Sequence, residues 1–176
     1  MTRGAIVWLT GLSGAGKSTL ATAVGAALAQ RRPVEVLDGD EIRLYLSQGL
    51  GYSRQDRDTN VHRIAYVARL LAKHGVVVFV AAISPYRDTR AALRKLSDDA
   101  GHAFVEVYVN APLATVAARD VKGLYKRAQA GEIERFTGVS DPYEEPTSAD
   151  VEVFTDRESQ AESAQKIVDA LQARGL

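Results

Sequence analysis

The segment Gly11-Leu12-Ser13-Gly14-Ala15-Gly16-Lys17-Ser18 constrains this chain more than any other stretch. It lies between the short apolar run Ala5-Ile6-Val7-Trp8-Leu9 and the Ala- and Leu-rich stretch Lys17 to Gln30. The first reads as a buried strand and the second as a helix. A strand, a glycine-rich turn and a helix N-terminus aim backbone N–H groups at one point, where phosphate oxygens are stabilised. The spacing G-x-x-x-x-G-K-[S/T] in this context fits a nucleoside triphosphate, and disfavours a glycine-rich turn that binds nothing. Gly14 and Gly16 let the backbone approach the phosphates, Lys17 reaches the β and γ phosphates, and Ser18 offers a hydroxyl to Mg²⁺. ATP is therefore expected on Gly11, Leu12, Ser13, Gly14, Ala15, Gly16, Lys17, Ser18 and Thr19. The motif is silent about the acceptor.

The rest of the chain repeats the alternation. Apolar runs at 34–37, 76–83, 104–109 and 151–154 read as further strands. Helical patterns at 55–73, 87–99 and 113–119 separate them, and Ser159-Gln160-Ala161-Glu162 is a capping box opening a last helix. Its inner face is expected to be Ala161, Ala164, Ile167, Val168 and Leu171. Such alternation predicts an α/β fold with a parallel five-stranded sheet and helices on both faces. Ligands of such sheets bind beyond the carboxyl ends of the strands, which marks Gly11, Asp38, Ser84 and Asn110. Residues 120–147 fit neither period and hold three glycines and two prolines. A long irregular stretch of this kind is expected to be a mobile lid. At 176 residues, 46% hydrophobic and 25% charged, the whole chain is expected to be one domain.

Composition narrows the function. With no cysteine, disulfides, thiolate metal sites and cysteine nucleophiles are excluded. His62, His74 and His102 show no ligand spacing. Lys+Arg 22 against Asp+Glu 22 makes a broad nucleic-acid surface an unexpected one, though a local basic pocket stays open. The longest apolar run, Val76 to Ile83, falls short of a membrane span, and the N-terminus does not read as a secretory signal. No membrane partner and a cytoplasmic location are the expectation.

Several residues outside the glycine-rich loop carry chemistry. Asp38-Gly39-Asp40 closes the second strand with Arg43 one turn on. Asp40 suits a group that takes the proton of an attacking hydroxyl; the plain alternative is a helix N-cap. Arg57 and Asn60 stand on the inward stripe of the long helix, four residues before Val61 and Ile64. Their partner is a ligand phosphate or sulfate, or else a salt bridge from Arg57 to Asp40 or Asp56. Pro85 is expected to hold Ser84 extended and end the third strand. Arg119, Lys122, Lys126, Arg127 and Arg135 form a basic excess in the irregular segment, either a clamp for phosphates or a solvated surface. Tyr52 and Phe136 are loop aromatics that either sandwich a base or anchor packing.

Taken together the chain resembles the adenylylsulfate kinase family. The resemblance rests on GLSGAGKST at 11–19, LDGDEIR at 37–43, GYSRQDRDTN at 51–60, ISPYRDTR at 83–90, RDVKGLYKRAQAGEIERFTG at 119–138 and PYE at 142–144, in the family's order. It implies a P-loop nucleotide kinase fold that transfers the γ-phosphate of ATP to adenylyl sulfate with Mg²⁺, as a homodimer without an attached sulfurylase domain. It also implies that Asp40, Arg43, Tyr52, Arg57, Asn60, Ile83, Ser84, Lys122, Phe136 and Thr137 hold the acceptor, with Lys17, Asp40, Ser84 and Lys122 at the chemistry. Glu41, Tyr52, Thr59 and His62 depart from the family pattern, which commonly has Asn, Phe, Glu and Arg at those places. A different small P-loop kinase, acting on a nucleoside monophosphate or a sugar acid, is the competing reading; the long lid motif and the two loop aromatics argue against it. A nucleotide-gated switch is disfavoured because neither Asn60 nor Asn110 begins an Asn-Lys-x-Asp signature.

Overall fold

A computed structural model describes residues 4–176. Five strands form one parallel sheet in the order β2-β3-β1-β4-β5. They are β1 (Ala5–Thr10), β2 (Val34–Asp38), β3 (Val77–Ala81), β4 (Ala103–Asn110) and β5 (Val151–Phe154). Leu9 is in register with Ala81, Asp38 with Ala81, and Thr10 with Tyr108, so the carboxyl ends of four strands meet at one edge.

Both faces of the sheet are covered, and alternation along each central strand shows how. In β1, Ala5, Val7 and Leu9 join one apolar core while Ile6 and Trp8 join the other. Along β3 and the residue that follows it, Val77, Phe79 and Ala81 oppose Val78, Val80 and Ala82 in the same way. The first core is closed by α1 (Lys17–Ala29) and α7 (Gln160–Gln172), the second by α3 (Arg54–Lys73) and α4 (Arg87–Asp99). Strands buried on both faces must be apolar throughout, which is why they read as unbroken runs. In α3 the apolar positions Val61, Ile64, Ala65, Ala68, Leu71 and Ala72 follow the i, i+3, i+4, i+7 spacing expected of an inward stripe; all are buried except Leu71, which is half-buried against the same core. In α7 the capping box forms, but Ser163 is buried where Ala161 was expected, and Ala161 is exposed.

Other differences are local. Two short helices, α2 (Gly39–Tyr45) and α6 (Leu124–Gln129), stand where the sequence suggested loops. α2 has no buried residue and hence no apolar stripe; Asp38 caps it by accepting from Asp40 N at 2.9 Å. α6 starts at Gly123, and the Asp120 carboxylate accepts from Tyr125 N and Lys126 N, both at 3.0 Å. A further short helix, α5 (Leu113–Arg119), precedes it as expected. β3 stops at Ala81 rather than continuing to Ile83. Ser84 is left-handed, with φ 42, and not extended as the following proline suggested. No helix among the described residues is long and apolar enough to cross a membrane.

Leu171 is fully buried on the last turns of α7, at the end away from the strands' carboxyl edge. Leu171→Ala is expected to cost about 2–5 kcal/mol of unfolding free energy, the usual range for such a truncation. Urea denaturation measures it, and nucleotide affinity of the folded variant should be unchanged.

Candidate functional site

The glycine-rich loop leaves β1 at the middle of the sheet. A Cβ on Gly11 would sit 2.4 Å from the Val109 carbonyl oxygen, so only glycine lets the chain turn there. Gly16 occupies the α1 N-cap with φ 103, again a glycine conformation. The loop's carbonyls are taken by side chains. Lys17 Nζ donates to Gly11 O at 3.0 Å and to Leu12 O at 2.7 Å. Tyr125 Oη donates to Ser13 O at 2.8 Å, Arg119 Nη1 to Gly14 O at 3.4 Å, and Thr155 Oγ1 to Ala15 O at 2.7 Å. Arg119 also binds Thr155 Oγ1 at 3.2 Å. Side chains from three later segments therefore set the shape of the loop.

Lys17 is buried, and burial pushes its ammonium down to about 8, against the pull of Asp40 and Asp38 in the opposite direction. Lys122 adds to the downward push. These three side chains, from β2's end, from α2 and from the segment before α6, thus act on the lysine of the loop. Ser18 Oγ donates to the second oxygen of Asp38, the same carboxylate that caps α2. Ser18 and Thr19 are exposed on the first turn of α1. Lys122 Nζ is paired with the Asp40 carboxylate, and both side chains are largely exposed.

The remaining candidates lie on the β2–β3 side of the loop. Arg43 donates to Leu50 O at 3.2 Å and to Gly51 O, and its guanidinium lies 4.3 Å from the Tyr52 ring centre. The Tyr52 ring is about half exposed, at 53%. Arg57 is buried and fully engaged: Nε donates to Tyr52 O at 3.0 Å, Nη1 to Thr137 Oγ1 at 2.7 Å, and Nη2 to Arg135 O. Its ion pair is with Asp141 at 3.5 Å, and not with Asp40 or Asp56. Burial lowers its guanidinium, offset by Asp141. Asp56 instead accepts from Ser53 Oγ at 2.6 Å, and that bond holds its carboxyl below the ordinary range. Asn60 is buried, and its Oδ1 has no partner. Phe136 packs edge-on against Tyr125, ring centres 4.9 Å apart at 84°.

Ser84 is buried. Its Oγ accepts from Trp8 Nε1 at 2.9 Å and donates to Ala82 O at 3.3 Å. The neighbouring Ile83 carbonyl accepts from Thr10 Oγ1 at 2.7 Å. Ser84, Asp120 and Arg135 are the non-glycine residues with positive φ among those described, and all three flank this edge.

Sequence reading overlooked Asp38 as the partner of Ser18, and it overlooked Thr155, Tyr125, Tyr143 and Arg90. Only Asp38 carried a local signal, its place at a strand's carboxyl end. The others act at least in part across fifty positions of chain or more, as Tyr125 does on Ser13 and Arg90 on the Glu144 carbonyl.

Comparison with known proteins agrees with this geometry. The adenylylsulphate kinase family model matches residues 3–154. An adenylyl-sulfate kinase of Myxococcus xanthus is 60% identical over 173 residues, covering 98% of this chain and 94% of its own. One from Gloeothece citriformis is 55% identical over 175 residues, covering 98% and 97%. Among solved structures, the Mycobacterium tuberculosis APS kinase in complex with AMPPNP and APS superposes with a TM-score of 0.94 at 46% identity, covering 98% of this chain and 99% of that one.

Gly39 separates the two aspartates, and a Cβ there would lie 2.9 Å from the Ala81 carbonyl oxygen. Gly39→Ala should push α2 off β3 and carry Asp38 and Asp40 with it. Misplacement on the scale of 1 Å costs about 10²-fold in rate. Steady-state ATP-dependent turnover of the folded variant checks this, with the circular dichroism spectrum expected to stay that of the parent.

Proposed function

The chain belongs to the adenylylsulphate kinase family and phosphorylates adenylyl sulfate with ATP; on that premise we propose that the γ-phosphoryl group passes to the 3′-hydroxyl, giving ADP and 3′-phosphoadenylyl sulfate. The observation that carries this reading is the placing of two carboxylates beside the phosphate loop: Asp38 accepts from Ser18, and Asp40, two residues on, pairs with Lys122, both carboxylates within electrostatic reach of Lys17. It joins a base suited to a hydroxyl acceptor to the lysine of the phosphate loop.

In this mechanism the loop's N–H groups hold the ATP phosphates at the N-terminus of α1, and Lys17 swings from the Gly11 and Leu12 carbonyls to the β and γ oxygens. Asp40 takes the proton of the 3′-hydroxyl as that oxygen bonds to the γ phosphorus and the bond from phosphorus to the β-bridging oxygen breaks. Lys122 orients Asp40 and adds positive charge where the transferring oxygens gather charge. Ser84 takes no phosphate: its hydroxyl is buried and already bound to Trp8 and Ala82, which supports direct in-line transfer.

A Mg²⁺ ion fits the donor set beside the loop. Ser18 offers a hydroxyl oxygen and Asp38 a carboxylate in contact with it, both hard donors on an exposed surface. These two residues would hold the ion with the ATP phosphates, and it would supply charge neutralisation there.

On the acceptor side, Arg43, Arg57, Asn60, Ile83, Ser84, Lys122 and Thr137 surround the nucleotide, and Tyr52 and Phe136 sandwich its adenine. Arg57 supports the sandwich because it binds the backbone of Tyr52 and of Arg135, next to Phe136. One guanidinium thereby sets the spacing of the two aromatics. The unpartnered Oδ1 of Asn60 is suited to accept from the acceptor. The segment 120–147 acts as a lid in this reading. The chain is proposed to work in the cytoplasm as a homodimer, with exposed Tyr45, Tyr66 and Leu70 available for the contact. ATP and adenylyl sulfate are its small-molecule substrates, and no nucleic acid is involved.

ADP release measured with adenylyl sulfate, AMP and gluconate as alternative acceptors tests the function. Only adenylyl sulfate should support turnover; equal rates with AMP would defeat the reading. Asp40→Asn should lower turnover by roughly 10²–10⁴, the range for losing a positioned base, with ATP affinity kept. Phe136→Ala should weaken acceptor binding by about 10- to 100-fold, from stacking of about 1–3 kcal/mol per base. Tyr52→Phe should change little. Calorimetric titration distinguishes these from a general loss of ATP binding.

A further inference from the structure

Arg90 lies on the first turn of α4, outside every residue assigned so far, and its side chain is only 2% exposed. A buried guanidinium must have partners for its donors, and this one has three. Nε donates to Glu106 Oε1 at 2.8 Å, Nη1 to Ser84 O at 2.6 Å and Nη2 to Glu144 O at 2.6 Å. The partners come from β4, from the turn after β3 and from the segment that returns from residues 120–142 to the sheet. Arg90 also lies 5.7 Å from the centre of the Tyr143 ring.

A second bridge runs parallel to the first. Thr10 Oγ1 donates to Ile83 O, and Tyr143 Oη lies 2.9 Å from the same Thr10 oxygen. With Thr10's proton directed to Ile83, Tyr143 is the donor. Burial pushes the Tyr143 phenol well up, so the proton stays in place. Glu144 N further donates to Pro85 O at 2.8 Å, and Arg87 N to Glu144 Oε2 at 2.8 Å. The Ile83–Ser84 turn and the 143–145 segment are thus sewn together. A left-handed non-glycine residue such as Ser84 persists only where its surroundings over-determine it. Here Arg90 and Trp8 do so from both ends of the residue.

We propose that Arg90 is a positioning residue for the acceptor nucleotide: its planar fork fixes the Ile83–Ser84 wall relative to the returning segment and so sets the width of the acceptor pocket. This rests on the assignment of Ile83 and Ser84 to that wall. The guanidinium is required because two carbonyls and a carboxylate must be met in one plane, which a lysine ammonium does not do. Arg90 touches no reacting atom and does not contact the phosphate loop, so ATP should be indifferent to it.

Four variants test the proposal by steady-state kinetics with both substrates and by thermal unfolding. Arg90→Lys keeps the charge facing Glu106 and loses the fork. It should raise the KM for adenylyl sulfate about tenfold or more, with the KM for ATP within about twofold. Glu106→Gln removes the ion pair and leaves both carbonyl bonds. It should lower the Tm while leaving the acceptor KM within about twofold of the parent. Tyr143→Phe removes only the hydroxyl bridge and should raise the acceptor KM by about threefold. Ile83→Ala reports on the wall itself and should raise the acceptor KM. An unchanged acceptor KM in folded Arg90→Lys overturns the proposal, as does a parallel rise for ATP, or a Glu106→Gln effect on the acceptor equal to that of Arg90→Lys. If Arg90→Lys does not fold, Tyr143→Phe decides, and an unchanged acceptor KM there overturns it. A response to Ile83→Ala without one to Arg90→Lys sinks the role of Arg90 alone; no response to either removes the wall and the proposal with it.

Discussion

The five carbonyls from Gly11 to Ala15 are the constraint on which the rest of the site depends. A loop that presents N–H groups to phosphate must turn its carbonyls elsewhere, and each of these has a side-chain donor: Lys17 for the first two, then Tyr125, Arg119 and Thr155. The donors come from α1, α6, α5 and the end of β5. Their presence means that the loop's shape is set by the folded chain and is ready for an anion. The bonds from Tyr125, Arg119 and Thr155 remain when Lys17 turns from its two carbonyls to the phosphates, so the loop's N–H dipoles stay oriented through that change. The approach of Gly11 to the Val109 carbonyl anchors the same loop to the sheet.

Two buried guanidiniums extend that order to the acceptor side. Arg57 ties α3 to residues 135–141, and Arg90 ties α4 to residues 144 and 84. Each meets fixed carbonyl, hydroxyl and carboxylate partners, so residues 135–144 are joined to α3 and α4 at defined points. Energetically such groups are demanding: removing one partner leaves a buried charge without compensation. They are therefore better understood as devices of position than as sources of stability. Asp38 shows the same economy on a smaller scale, with one oxygen capping α2 and the other meeting Ser18.

What the sequence revealed follows from this division. β1, β3 and β4 were legible because burial on both faces demands unbroken apolar runs, and α3 because its stripe repeats at helical spacing. The glycine-rich loop was legible because its glycines answer to local backbone geometry. α2 was not, since it buries no residue and leaves no periodicity to detect. α6, a helix of six residues, depends on Asp120 and Gly123 rather than on an apolar face. Ser84 defied the rule for residues before proline because Thr10 and Trp8, more than seventy positions away, and Arg90 on the next helix hold it in place. For Arg57 the expected burial is found, whereas the alternative of a salt bridge to Asp40 or Asp56 is not, since the ion pair is with Asp141, 84 positions away. Local signals thus reported the phosphate side well, whereas the acceptor side is assembled from long-range hydrogen bonds that leave no spacing in the chain.

The central claim is that the phosphate held by the loop passes directly to a sugar hydroxyl of adenylyl sulfate. Phosphorus NMR of the protein turning over MgATP and adenylyl sulfate tests it most directly. The account predicts a new 3′-phosphate monoester resonance that grows in step with ADP, with the sulfate-bearing phosphate retained and no phosphorus left on the protein. Release of inorganic phosphate in place of the monoester, or a phosphoserine resonance that forms and decays as fast as turnover, would contradict it.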